Sequence, residues 1–152
     1  MRTLIKIFQY SSILAGLSLP ALLVIIGGKE PQSFSQYYFT DASPVFVGFL
    51  FWISFGLMTV KNFSSFIRGV CLQTVAFFDC KLYPEIHNIA AVSFFIFSLV
   101  HILQDKRYRL IGYLMIAFSP LCALSLYYGE LVQVLFISLY HFFYFNKLNK
   151  FL

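Results

Sequence analysis

The chain has 152 residues, 60% of them hydrophobic and 20% aromatic, against only 11% charged. A water-soluble domain carries about 25% charged residues, and a chain this short has too small a core to hide so much apolar surface. One compact unit with a bilayer as its solvent fits this composition; a separate water-soluble catalytic domain, a disordered chain and a disulfide scaffold do not.

The N-terminal run Met1-Arg2-Thr3-Leu4-Ile5-Lys6 has the charged start of a secretory signal. Its apolar stretch continues through Leu19-Pro20-Ala21-Leu22-Leu23-Val24-Ile25-Ile26, longer than a signal core of about 7–15 residues, with no convincing small-x-small cleavage site before Gly27. It reads as a retained first span. Further apolar segments follow, and the predicted helices are 8–27, 44–60, 64–80, 84–103, 110–128 and 130–146. The third has only Val70 to Phe78 as a strongly apolar stretch and needs Phe63, Phe66, Ile67 and Leu82 to cross. A tilted, re-entrant or half-length third helix, and with it a five-span chain, is the alternative.

Charge supplies an independent test of this placement. Arg2, Lys6, Lys61, Arg68, Lys106, Arg107, Arg109, Lys147 and Lys150, nine of the eleven basic residues, fall on one side, and only Lys29 and Lys81 fall on the other. By the positive-inside rule both termini are cytoplasmic. The expected fold is therefore an all-α integral membrane bundle of six transmembrane helices forming a single domain, in the cell membrane and by preference a bacterial inner membrane. The net charge of +5 then belongs to cytoplasmic rims facing anionic headgroups, and no nucleic-acid partner is implied. Ionisable groups inside the spans are expected to be nearly absent. Glu30, Asp41, Asp79, Glu85 and Glu130 map to the outer side, with Asp105 inside.

The outer loop Gly28 to Ser43 mixes turn formers with four aromatics, too apolar for a free linker, and is expected on the outer mouth of the bundle. Pro20 and Pro120 fall inside the first and fifth predicted helices, where kinks are tolerated in membranes.

The outer polar residues are the first place to look for chemistry. Asp79 and Glu85 bracket a short turn, and His87 follows in the first turn of the fourth helix. His87, Asp79 and Glu85 are the candidate catalytic set, able to hold a divalent metal or to act as acid and base if the first loop closes over them. Tyr37, Tyr38, Thr40 and Asp41 are candidate ligand-binding residues in that loop, and the deep amides Gln73 and Gln133 are candidates to line a cavity or to bond across helices. The competing reading is an interfacial His87 bonded to a loop carbonyl beside hydrated acids. His101 lies about 21 Å from His87 along one helix, so they cannot share an ion. His101 and His141 read as packing or helix-to-helix hydrogen bonding near the cytoplasmic side. Cys71, Cys80 and Cys122 have no CxxC spacing, and phosphate-loop, HExxH and GxSxG motifs are absent.

Ser33-Phe-Ser-Gln-Tyr-Tyr-Phe-Thr40 followed by Val45-Phe-Val-Gly-Phe-Leu-Phe51 resembles a family of small bacterial multi-pass membrane proteins of uncharacterised function, as do Val75-Ala-Phe-Phe-Asp79 and His87-Asn-Ile-Ala-Ala-Val-Ser-Phe-Phe95. This chain departs from that pattern at Ser43-Pro44, where an Arg-Asp pair is usual, and at Asp79, where a proline is usual. A more distant similarity, to intramembrane metal-dependent hydrolases of the ceramidase and progestin-receptor-like superfamily, implies paired terminal-helix histidines, and here His141 stands alone. Three functions stay open. The leading one is binding of a membrane lipid, or of a partner membrane protein or second copy, through the outer face. The others are a metal-dependent hydrolase of a lipid or lipid-linked substrate and a small transporter or channel.

Overall fold

The computed structural model describes residues 2–28, 32–60 and 62–150. Lys29, Glu30 and Lys61 lie outside the described residues, as do the side chains of Arg2, Lys147 and Lys150, so their part in the expected charge asymmetry is not placed. The fold is all-α, with no strand among the described residues. Its helices are α1 (Arg2–Gly27), α2 (Ser43–Met58), α3 (Phe63–Phe77), α4 (Pro84–Gln104), α5 (Arg109–Phe118), α6 (Leu121–Leu124) and α7 (Leu126–Lys150), with a 3-10 segment at Phe34–Phe39 between α1 and α2.

Local chemistry sets most boundaries. Gly28, at φ +78°, takes the left-handed conformation that ends α1, and its N–H bonds to the Val24 carbonyl at 3.0 Å. Prolines stand in the first turns of α2 and α4, where a missing N–H costs nothing. Asn62 caps α3 by accepting from Ser64 N at 2.8 Å.

The predicted helices 110–128 and 130–146 need correction. The fifth stops at Phe118, because Pro120 cannot donate to the preceding turn and starts the four-residue α6 instead. Ser125, extended at φ −154° and ψ 114°, then turns the chain so that α6 folds back against α7. Gly129 of α7 makes that reversal, since a Cβ there would overlap Cys122.

From α1 to α5 each helix packs on the next, and α7 closes the ring by lying against α1 and α5, with a lighter contact to α4. The 3-10 segment caps one end of this ring, packed on α2 and α7. Two helices, Thr3–Gly27 and Pro84–Gln104, are long and apolar enough to cross a membrane, and Ser43–Met58, Phe63–Phe77 and Arg109–Leu124 are shorter apolar helices.

Many polar side chains are buried within the apolar core, and many large apolar ones are exposed. Arg68, Ser54, Ser65 and Ser98 are fully buried, and His87, His101, His141, Gln9 and Gln133 nearly so, while Phe63 (78%), Ile25 (77%) and Leu124 (83%) are exposed. The expectation that ionisable groups are nearly absent from the helices' interior is corrected by Arg68, which sits inside α3 and not on a rim.

Candidate functional site

At the capped end, the aromatic loop is bolted to the helices beneath it. Phe34 stacks on Tyr127 of α7 with centroids 5.0 Å apart and planes 8° from parallel, and the fully buried Tyr37 packs against both rings. Tyr38 donates from its hydroxyl to the Ala76 carbonyl of α3 at 3.0 Å. His87 Nδ1–H donates to the Phe78 carbonyl at 2.6 Å, and Nε2 accepts from Ser35 Oγ at 2.7 Å. That pattern assigns one tautomer and leaves neither ring nitrogen available to an ion.

The proposed catalytic set does not meet around His87. Asp79 uses Oδ1 to accept from Lys81 N and Leu82 N at 2.9 and 2.7 Å, closing the α3–α4 turn, and Glu85 is exposed on the first turn of α4. Asp41 is also exposed, and Thr40 shapes the loop, donating to Tyr37 O and accepting from Ala42 N. No group of three or more His, Cys, Asp or Glu among the described residues could hold a metal ion. Cys80, in the same turn, contacts the Ser35 carbonyl at 3.8 Å, and burial pushes its thiol above the ordinary value.

The two candidate amides part company. Gln73 lies across the α2–α3 contact, 3.9 Å from Met58 Sδ. Gln133 of α7 donates to the Met115 carbonyl of α5 at 2.9 Å and lines an open groove of about 810 Å³ between α4, α5–α6 and α7. Val92, Ile96 and Leu99 of α4 supply one apolar wall, and Asn88, Ser119, Cys122 and Glu130 are its other polar lining residues.

Glu130 is the residue that sequence reading missed. It was placed on an outer rim, yet it lies a full turn inside α7, half-buried, with Oε2 accepting from Phe34 N of the cap at 2.8 Å. It makes no other hydrogen bond or ion pair among the described residues. Glu130, Ala91 and Phe95 line both the groove and a central cavity of about 90 Å³ inside the helix ring, so these three separate the two spaces. The available signal was a lone carboxylate between two apolar runs, three residues before Gln133, which puts both side chains on one helical face.

At the opposite end a second polar cluster joins α3, α4 and α7. Arg68 donates from Nε to Ser64 O at 3.3 Å, from Nη2 to Ser65 Oγ at 2.7 Å and from Nη1 to His141 Nε2 at 3.0 Å. His141 Nδ1–H in turn donates to the Ile137 carbonyl at 2.7 Å, leaving Nε2 as the acceptor that Arg68 needs. His101 packs edge-on to Tyr140 at 5.7 Å, and His101 Nε2, Tyr140 Oη and Ser98 Oγ are buried without a hydrogen-bond partner.

No family model, curated protein or solved structure matches this chain.

Proposed function

We propose that this protein is an integral membrane bundle that holds an amphipathic, lipid-like molecule in the groove between α4 and α7. The membrane part of the reading rests on the exposed apolar helix faces and the polar groups buried between the helices. Only a third of the most apolar window of α1 and of α4 is buried, whereas the core helix of a soluble protein is mostly covered. Polar groups inside and apolar groups outside are what hydrocarbon solvent favours.

In this reading α1, α2, α3, α4, α5–α6 and α7 make six passes, with both termini on the cytoplasmic side beside Lys106, Arg107 and Arg109. Asp41, Asp79 and Glu85 then face outward. The 16 residues of α2 and 15 of α3 reach about 24 and 22 Å, so the bilayer thins beside them or their ends sit at headgroup depth.

The observation that carries the binding function is the groove. Its volume of about 810 Å³ falls in the range of ligand pockets, and its walls are apolar with a few polar groups gathered near Glu130 and Gln133. An acyl chain against α4 and a polar head at Glu130 fit that division. Two measurements test the reading. The protein stays with membranes through an alkaline carbonate wash, and native mass spectrometry of detergent-purified protein finds about one amphiphile bound. Replacing Val92 and Leu99 together by Trp fills the groove and removes that mass while the helical circular dichroism persists. Release into the soluble fraction, or amphiphile retention unchanged in the filled variant, overturns the proposal.

A further inference from the structure

The polar end of the groove discriminates between head groups, because the one charged side chain in its lining is an acid, Glu130, and several of the donors around it are bonded to the protein. Gln133 Nε2 bonds to the Met115 carbonyl at 2.9 Å, Ser119 Oγ to the Ile116 carbonyl at 2.8 Å, and the Phe34 N–H to Glu130 itself at 2.8 Å. What is left to a ligand is chiefly acceptor capacity, the rest of the Glu130 carboxylate, the Gln133 amide oxygen and the Ser119 lone pairs, beside the second Nε2–H of Gln133. Asn88 and Cys122 add a neutral amide and a weak thiol donor, and neither balances a carboxylate. No Lys or Arg lines this groove.

We infer that the groove selects a lipophilic ammonium ion, an apolar chain carrying a protonated amine that bonds to Glu130. The inference rests on the groove being a binding site, as proposed above. An N⁺–H to carboxylate bond is about twice as strong as its neutral counterpart, and the low dielectric of a half-buried site raises the contrast further. A head group bearing phosphate or carboxylate meets Glu130 with a like charge and no compensating base. A neutral alcohol of equal chain length fills the same apolar wall and gains only the weaker bond.

The test compares dodecylamine, dodecanol and dodecanoate on the full-length protein in phosphatidylcholine nanodiscs, with protein-free discs correcting for partition. The expected result is apparent affinity at least tenfold higher for the amine than for the alcohol, and that ratio falling to within threefold in Glu130→Gln. A second reading uses the wild type alone, so it does not depend on the variant folding. Dodecylamine slows alkylation of Cys122 by a membrane-permeant maleimide several-fold more than dodecanol does, with Cys80 unchanged, each read by peptide mass spectrometry. Equal binding and equal Cys122 protection by amine and alcohol overturn the ammonium selectivity and leave the groove reading standing. Binding of none of the three above empty discs overturns both. A preference for the amine that survives in folded Glu130→Gln moves the site away from Glu130 and overturns the assignment.

Discussion

Arg68 of α3 and His141 of α7 are joined by a 3.0 Å hydrogen bond across 73 residues of sequence, with both side chains buried. The guanidinium is charged and its three acceptors are a carbonyl, a hydroxyl and an imidazole, so its stability inside the bundle depends on each of them being present. The His141 tautomer follows from the same geometry, because the Ile137 carbonyl takes the Nδ1 proton.

Replacing His141 by Leu leaves one guanidinium N–H buried without an acceptor, and a hydrogen bond to a charged group contributes about 1.5–3 kcal/mol. His141→Leu is therefore expected to destabilise the protein by about 2–3 kcal/mol. Adding Arg68→Met to it removes the stranded donor, so the double variant loses less than the sum of the two single variants, with a coupling of at least about 1 kcal/mol. Denaturation in a mild detergent measures all four proteins. Strict additivity would mean that the contact carries no energy of its own.

The cap provides a second, local measurement. Its 3-10 segment is held by Ser35 to His87 on α4 and by Phe34 to Glu130 on α7. Ser35→Ala deletes the hydroxyl and leaves His87 Nε2 buried without a partner, at a cost of about 1–3 kcal/mol. Because the rest of the ring does not use this bond, the loss appears as local opening. Hydrogen exchange should speed up at the Gln36 and Thr40 amides, which bond to the carbonyls of Ser33 and Tyr37, while the amides of α2 and α3 keep their protection. Faster exchange throughout the bundle, or none at the cap, would contradict the latch.

How much of this was visible in sequence varies from residue to residue. The helical class follows from the long apolar runs, and the starts of α2 and α4 follow from Pro44 and Pro84. The interruption from Ser119 to Ser125 was hidden, since hydropathy runs on through Pro120 and local backbone geometry alone breaks the helix. Arg68 was hidden for a different reason. A basic residue near a helix start reads as a rim charge, and His141, the partner that permits its burial, comes from the other end of the chain. Glu130 was assigned to a rim by the same logic. Its depth follows from Ser125 starting α7 earlier than hydropathy suggested and from the Phe34 N–H that meets it. His87 is legible as a polar residue in the first turn of α4, but Ser35, 52 residues away, decides how its ring is used.

Two glycines of α2 test the packing of that helix with one and the same substitution. A Cβ on Gly56 would run into the Cβ and Oγ of Ser12, whose hydroxyl bonds to the Phe8 carbonyl at 2.8 Å and reaches the Trp52 carbonyl at 3.2 Å. Ser12 cannot give way without moving α1 or losing those bonds, so Gly56→Ala is expected to cost about 1–3 kcal/mol through overpacking. A Cβ on Gly48 meets nothing within 4 Å. Gly48→Ala gains helix propensity without a clash, and the expected change is a stabilisation of about 0.5–1 kcal/mol. The difference in thermal midpoint between the two variants reads the α1–α2 contact directly, because residue type, helix and backbone conformation are matched. If both substitutions shift the midpoint in the same direction by similar amounts, α1 does not lie against Gly56 as described.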